Sequence, residues 1–78
     1  MINTLTTEEI DTESSKLLIK AEYNPLYHTL TLHFKTNGSI YEYKGVSEET
    51  WEEFKTSPSK GKYFHAFIKK TFLFEKLS

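Results

Sequence analysis

The stretch HTLTLHFKTNGSIYEYK, residues 28–44, constrains the fold more than any other part of the chain. Leu30, Leu32 and Phe34 alternate with Thr29, Thr31, His33 and Lys35, the period of two that marks a half-buried strand. Asn37-Gly38 follows, and SIYEYK then resumes the alternation. An Asn-Gly pair between two alternating runs is the strongest short hairpin signal, because a type I′ turn needs positive φ at both central residues. With Asn37 and Gly38 as the two loop residues, Thr36 faces Ser39, Phe34 faces Tyr41 and Leu32 faces Tyr43. His33 then faces Glu42 on the opposite side. A slip of one residue would carry every apolar side chain to the wrong face.

KLLIKAEY, upstream, also alternates: Leu17, Ile19, Ala21 and Tyr23 against Leu18, Lys20 and Glu22. It predicts a further strand, broken by Pro25, which cannot donate to a ladder. Downstream the period changes. Ser47 is a good N-cap, and Glu48 and Glu49 in the first turn suit the positive end of a helix. Trp51 and Phe54, three apart, share a face, and Pro58 stops this helix. Ser59 caps a second one, in which Tyr63, Phe64, Phe67, Ile68 and Phe72 form an amphipathic stripe, with Tyr63, Phe64, Phe67 and Ile68 expected to pack inward. The predicted fold is α+β: a three-stranded antiparallel meander followed by two helices packed on one face. In this reading KLLIKAEY leaves an open sheet edge.

Composition fits one small domain. Seventy-eight residues hide only about 60–65% of the unfolded surface, and no cysteine is present to add a disulfide. Twelve Trp, Tyr and Phe residues compensate, since each ring buries roughly 150–250 Å². Residues 1–15 are expected to be an acidic, flexible leader, with a short helix from Glu8 as the alternative because Thr6 and Glu9 have capping-box spacing. Residues 16–78 form the domain. No apolar run approaches the ~20 residues of a membrane span, and no secretion signal is legible. A cytoplasmic, soluble protein without membrane attachment is expected.

The net charge of −1 argues against a strong nucleic-acid binder, but the charges are sorted along the chain. Residues 47–56 hold four acids and one lysine, whereas 59–71 hold four lysines and no acid. A partner can read such sorting.

YEYKGVSEETWEEFKTSPSKGKYFHAFIKKTF resembles the KTSC domain, a family named for its place at the C-terminus of some lysyl-tRNA synthetases. Tyr41 and Tyr43 match the family's Tyr-x-Tyr, Val46 its following Val, and Ser59, Gly61, Tyr63 and Phe64 its Ser-x-Gly-x-Tyr/Phe-Phe segment. SSKLLIKAEYNPLYHTLTLHF fits its two leading strands, so the likeness runs from about Ser14 to Phe72. Ser47 stands where the family usually has Pro, and His65 where it often has Asn. The resemblance implies a small bacterial or phage domain, and the synthetase context suggests RNA binding.

The residues offer little chemistry. His28 and His33 lie five apart on a strand, hence on opposite faces, so no zinc site is expected. No serine elbow, cysteine nucleophile or apolar-flanked carboxylate pair is present, and no enzyme or cofactor is expected. Lys60, Gly61 and Lys62 after the Ser59 cap admit an anion-binding reading, with a phosphate approaching the helix start; close packing at Gly61 is the alternative. Tyr41 and Tyr43 read either as core rings with hydroxyls at the rim or as base-stacking platforms. Lys60, Lys62, Lys69 and Lys70 are expected to point outward beside the cap.

The leading expectation is a non-enzymatic binding module for RNA or another phosphate-bearing ligand, using Ser59, Lys60, Gly61, Lys62, Tyr63, Lys69, Lys70, Tyr41 and Tyr43. The alternative is a protein-interaction or self-association domain, such as a dimer or a phage-encoded modulator of a host protein.

Overall fold

The computed structural model of the chain describes residues 8–11, 17–35 and 37–78. The alternating runs form antiparallel strands as their period requires. β2 (Leu18–Asn24), β3 (Thr29–Phe34) and β4 (Ile40–Lys44) are neighbours in chain order. Leu30, Leu32 and Tyr43 are buried on one face, while Thr29, Thr31 and Glu42 share the other.

The sheet has five strands rather than three. β1 (Glu8–Asp11) pairs antiparallel with β2, Ile10 lying opposite Ala21. β5 (Phe74–Lys76) pairs antiparallel with β4, Phe74 opposite Tyr43. Both extra strands come from segments too short to show a period of their own. Glu8–Asp11 is therefore a strand and not part of a flexible leader or a helix; residues 1–7 and 12–16 lie outside the described residues. The edge of β2 expected to be open is covered by β1.

The β3–β4 register also differs from expectation. Leu32 faces Tyr41, Leu30 faces Tyr43 and His33 faces Ile40, a shift of two residues from a two-residue loop. The Phe34 N–H donates to the Ser39 carbonyl (2.9 Å), so the connection spans four residues, 35–38. Gly38 has φ +70°, but Asn37 lies outside the positive region, so a type I′ turn is excluded. Asn37 instead uses its side chain, Oδ1 accepting from the Ser39 N–H at 3.1 Å, an Asx turn. Because the shift is even, every residue keeps its expected face. His33 finds Glu22 of β2 instead of Glu42, with Nε2 and Oε1 2.7 Å apart.

A bulge between Leu18 and Lys20 resets β2. The extra residue reverses the phase of the strand start, so Leu18 is buried and Ile19 is 42% exposed, while Ala21 and Tyr23 stay in the core.

The helices cover the apolar face. In α1 (Glu48–Thr56) the Ser47 hydroxyl accepts from the Thr50 N–H (3.2 Å), and Trp51 and Phe54 are buried. Trp51 stacks on Tyr23 with ring centroids 5.3 Å apart, a contact worth about 0.5–1.5 kcal/mol beyond its buried area. The Tyr23 hydroxyl donates to the Val46 carbonyl at 2.7 Å, and burial, then Glu48, raises its pKa.

The second helix is not uniform. α2 (Lys60–Tyr63) has one α-turn and passes into a π turn over Phe64–Ile68, closed by the Lys69 N–H donating to the Phe64 carbonyl at 2.8 Å. The π turn adds one residue to the helical phase, a rotation of about 100°. Phe64 and Ile68 are buried, but Phe67, expected to pack inward, is 58% exposed.

Candidate functional site

The Ser59 cap forms as expected, but the protein uses it internally. The Ser59 hydroxyl accepts from the Lys62 N–H at 3.4 Å, and the Ser59 N–H donates to Ser57 Oγ at 3.2 Å. The Tyr63 N–H donates to the Ser59 carbonyl (3.0 Å), and Lys60 Nζ donates to the Ser57 carbonyl (3.4 Å). The amides of Ser59 and Lys62, offered by the sequence to a phosphate, are thus already engaged. A single α-turn also builds little macrodipole. Nearby, the Tyr63 hydroxyl donates to Glu53 Oε1 at 2.8 Å and ties α2 to α1. Burial, then the Glu53 hydrogen bond and the charges of Glu53 and Glu49, push the Tyr63 pKa up to about 12.

A different place draws functional groups together. Between the β4–β5 end of the sheet and the π turn lies an open pocket of about 460 Å³. Its rings come from Phe34 of β3, Tyr41 and Tyr43 of β4, Phe64 of the π turn and Phe74 of β5. The period of two puts Tyr41 and Tyr43 on the same face, and pairing with β5 sets Phe74 opposite Tyr43. Phe64 meets Phe34 and Tyr43 edge-on, with centroids 5.4 and 5.5 Å away. Phe74 lies 5.5 Å from both tyrosine rings. Leu17, Asn37, His65, Lys69 and Lys70 complete the lining. Among the described residues no carboxylate lines it, so none of these side chains repels an anion. The phase shift of the π turn decides the side on which Lys69 and Lys70 emerge.

Two hydroxyls in this pocket have no hydrogen-bond partner among the described residues. Neither Tyr41 nor Tyr43 makes a side-chain hydrogen bond among the described residues. Tyr43 is 4% exposed as a whole residue, yet it lines an open pocket, so its hydroxyl can be met from the pocket side. Burial, then Tyr41, pushes its pKa up to about 12. Such a group suits an exchangeable partner, water or ligand.

Of the sequence-predicted site residues, the structure brings together Tyr41, Tyr43, Lys69 and Lys70. Ser59, Lys60, Gly61, Lys62 and Tyr63 do not line the pocket. Lys69 and Lys70 are separated from the cap by the π turn rather than beside it. The sequence reading missed Leu17, Phe34, Asn37, Phe64, His65 and Phe74 as site residues. No period marks FLFEKLS, whose apolar residues Phe72, Leu73, Phe74 and Leu77 fall on both faces of a strand, so pairing with β4 alone reveals β5 beside the tyrosines. Among the described residues no group of three metal-ligating side chains converges, and no helix is long and apolar enough to cross a membrane.

Comparison with known proteins places this geometry in a family. The chain is 54% identical over 61 residues to lysine–tRNA ligase of Nostoc sp., covering 77% of this chain and 11% of that protein. It is 48% identical over 56 residues to the ligase of Trichormus variabilis, covering 72% and 10%. The chain thus spans about a tenth of the length of these curated relatives. A KTSC domain protein from Yersinia pestis has a solved structure similar to this one, with TM-score 0.85 and 30% identity over 94% of this chain and all of that one. The KTSC domain model matches residues 14–72, the span that holds every pocket residue named above except Phe74. The chain belongs to the KTSC domain family.

Proposed function

We propose that the chain is a small non-enzymatic binding module that takes RNA, or another phosphate-bearing ligand, at the aromatic pocket. The single observation behind this reading is the pairing of an open five-ring pocket with Lys69 and Lys70 on a lining that holds no acid among the described residues. Rings offer stacking surfaces to bases, and lysines offer charge to the backbone. The name of the relatives, lysine–tRNA ligase, fits a domain carried on a protein that handles RNA. Affinity for short single-stranded RNA and DNA, measured by fluorescence anisotropy across a salt series, tests the reading. Binding should weaken steeply with salt, because each phosphate contact on a single strand contributes about −0.7 to the log–log slope. No binding at low salt defeats it.

The self-association reading rests on a different observation. Leu73, Phe74 and Leu77, at and beside edge strand β5, are 81%, 55% and 51% exposed. Light scattering at micromolar concentration decides it, and a strict monomer removes it.

A further inference from the structure

Charge and stacking leave the hydroxyls of Tyr41 and Tyr43 unexplained, and Tyr43 is the more deeply buried of the two residues. Lys69 and Lys70 account for charge, and the rings account for stacking. A hydroxyl with no hydrogen-bond partner among the described residues can meet a polar edge, which an apolar ligand does not supply. The side chains of Phe34, Phe64 and Phe74 can neither accept nor donate, and Asn37 Oδ1 is already used by the Ser39 N–H. Tyr43 is a buried residue that lines the pocket. Its raised pKa has burial as first cause and no hydrogen bond among its causes.

We infer that the pocket admits one unpaired nucleobase and reads its edge through the Tyr43 hydroxyl, while the adjoining phosphates lie on Lys69 and Lys70. This rests on the RNA reading above and narrows it. The ligand must be planar, carry a hydrogen-bonding edge and bear an anion outside the ring, which is the chemistry of a nucleotide. The pocket volume of about 460 Å³ falls within the range of small-ligand sites, about 300–1,000 Å³. A paired base keeps its edge occupied and its faces stacked, so a duplex is excluded and loops, bulges or ends are preferred. In the free protein water in the open pocket can meet this hydroxyl, and a bound base takes that water's place.

The test uses the full chain with the ribonucleoside 5′-monophosphates, inorganic phosphate, a short single-stranded RNA and that strand in duplex. Tyr43→Phe keeps the ring and removes the hydroxyl. It should weaken mononucleotides and the single strand roughly 3- to 10-fold, the size of one neutral hydrogen bond. The salt dependence should stay unchanged, and the Tm should hold or rise. Phe74→Ala, at a half-exposed wall, should weaken the single strand about tenfold through lost stacking. Equal affinity of Tyr43→Phe, duplex binding as tight as single-strand binding, or a lowered Tm in Tyr43→Phe overturns the inference. The RNA reading survives all three of those results if the single strand still binds. Mononucleotide binding without strand binding upholds the base pocket and overturns the RNA reading. Absence of all nucleotide binding defeats both.

Discussion

Two lysine pairs bracket the helical segment, and the structure treats them differently. Lys60 and Lys62 open it beside the Ser59 cap, where Ser57 and Ser59 already satisfy two amides and Lys60 Nζ reaches the Ser57 carbonyl. Lys69 and Lys70 close it at the rim of a five-ring pocket that no carboxylate among the described residues lines. In the sequence the pairs look equivalent: both lie in the same acid-free stretch. What separates them is whether unmet polar groups and open volume lie within reach. Anion recognition needs charge together with vacancy, and the cap offers charge alone.

The contrast predicts unequal responses to charge reversal. Lys69→Glu with Lys70→Glu should lower affinity for single-stranded RNA more than tenfold at low salt. It should also flatten the salt slope by about 0.7 per lost phosphate contact. Lys60→Glu with Lys62→Glu should change affinity less than twofold. Anisotropy titrations of the two double variants side by side decide, and equal losses would erase the distinction drawn here.

Ser59→Ala sharpens the comparison from the other side. Losing the cap should cost about 1 kcal/mol or less, seen as a fall in Tm of about 4–8 °C per kcal/mol for a domain of this size. RNA affinity should not move. A stability effect without a binding effect assigns the cap to folding.

The smallest effect is in alkaline titration. Tyr43 in the pocket and Tyr63 beside the cap both have pKa values raised from 10.0 to about 12. Between these values the unfolded chain releases protons that the folded chain retains. The stability these groups contribute is therefore full below pH 10 and is lost as pH rises through about 12. Absorbance at 295 nm should show late ionisation, with Tyr43→Phe and Tyr63→Phe each deleting one late step. Ordinary titration of either tyrosine near pH 10 would mean that its ring is more hydrated than the structure shows.

Much of the scaffold is legible residue by residue. The alternation of Leu30, Leu32, Tyr41 and Tyr43 gives strands and faces, because a pleated strand turns successive side chains to opposite sides whatever its partners are. Ser47, Glu48 and Glu49 mark the start of α1 through local hydrogen bonding and charge. The pocket is only half legible. Tyr41, Tyr43, Lys69 and Lys70 can be singled out by residue type, but their meeting with Phe34, Phe64 and Phe74 cannot. β5 has three residues, too few for a period to declare itself, and the π turn carries no sequence signature that α-helical spacing lacks.

Local patterning alone settles the antiparallel α+β character, the helix start at Ser47 and the apolar face of each central strand. These depend on short-range sterics and on a repeat of two or nearly four residues. Tertiary packing settles the outer strands, the four-residue loop, the bulge at Ile19 and the π turn. Each is a shift of one or two residues, and such shifts alter local energies too little to be visible until distant surfaces are pressed together. The pocket is the product of those small shifts.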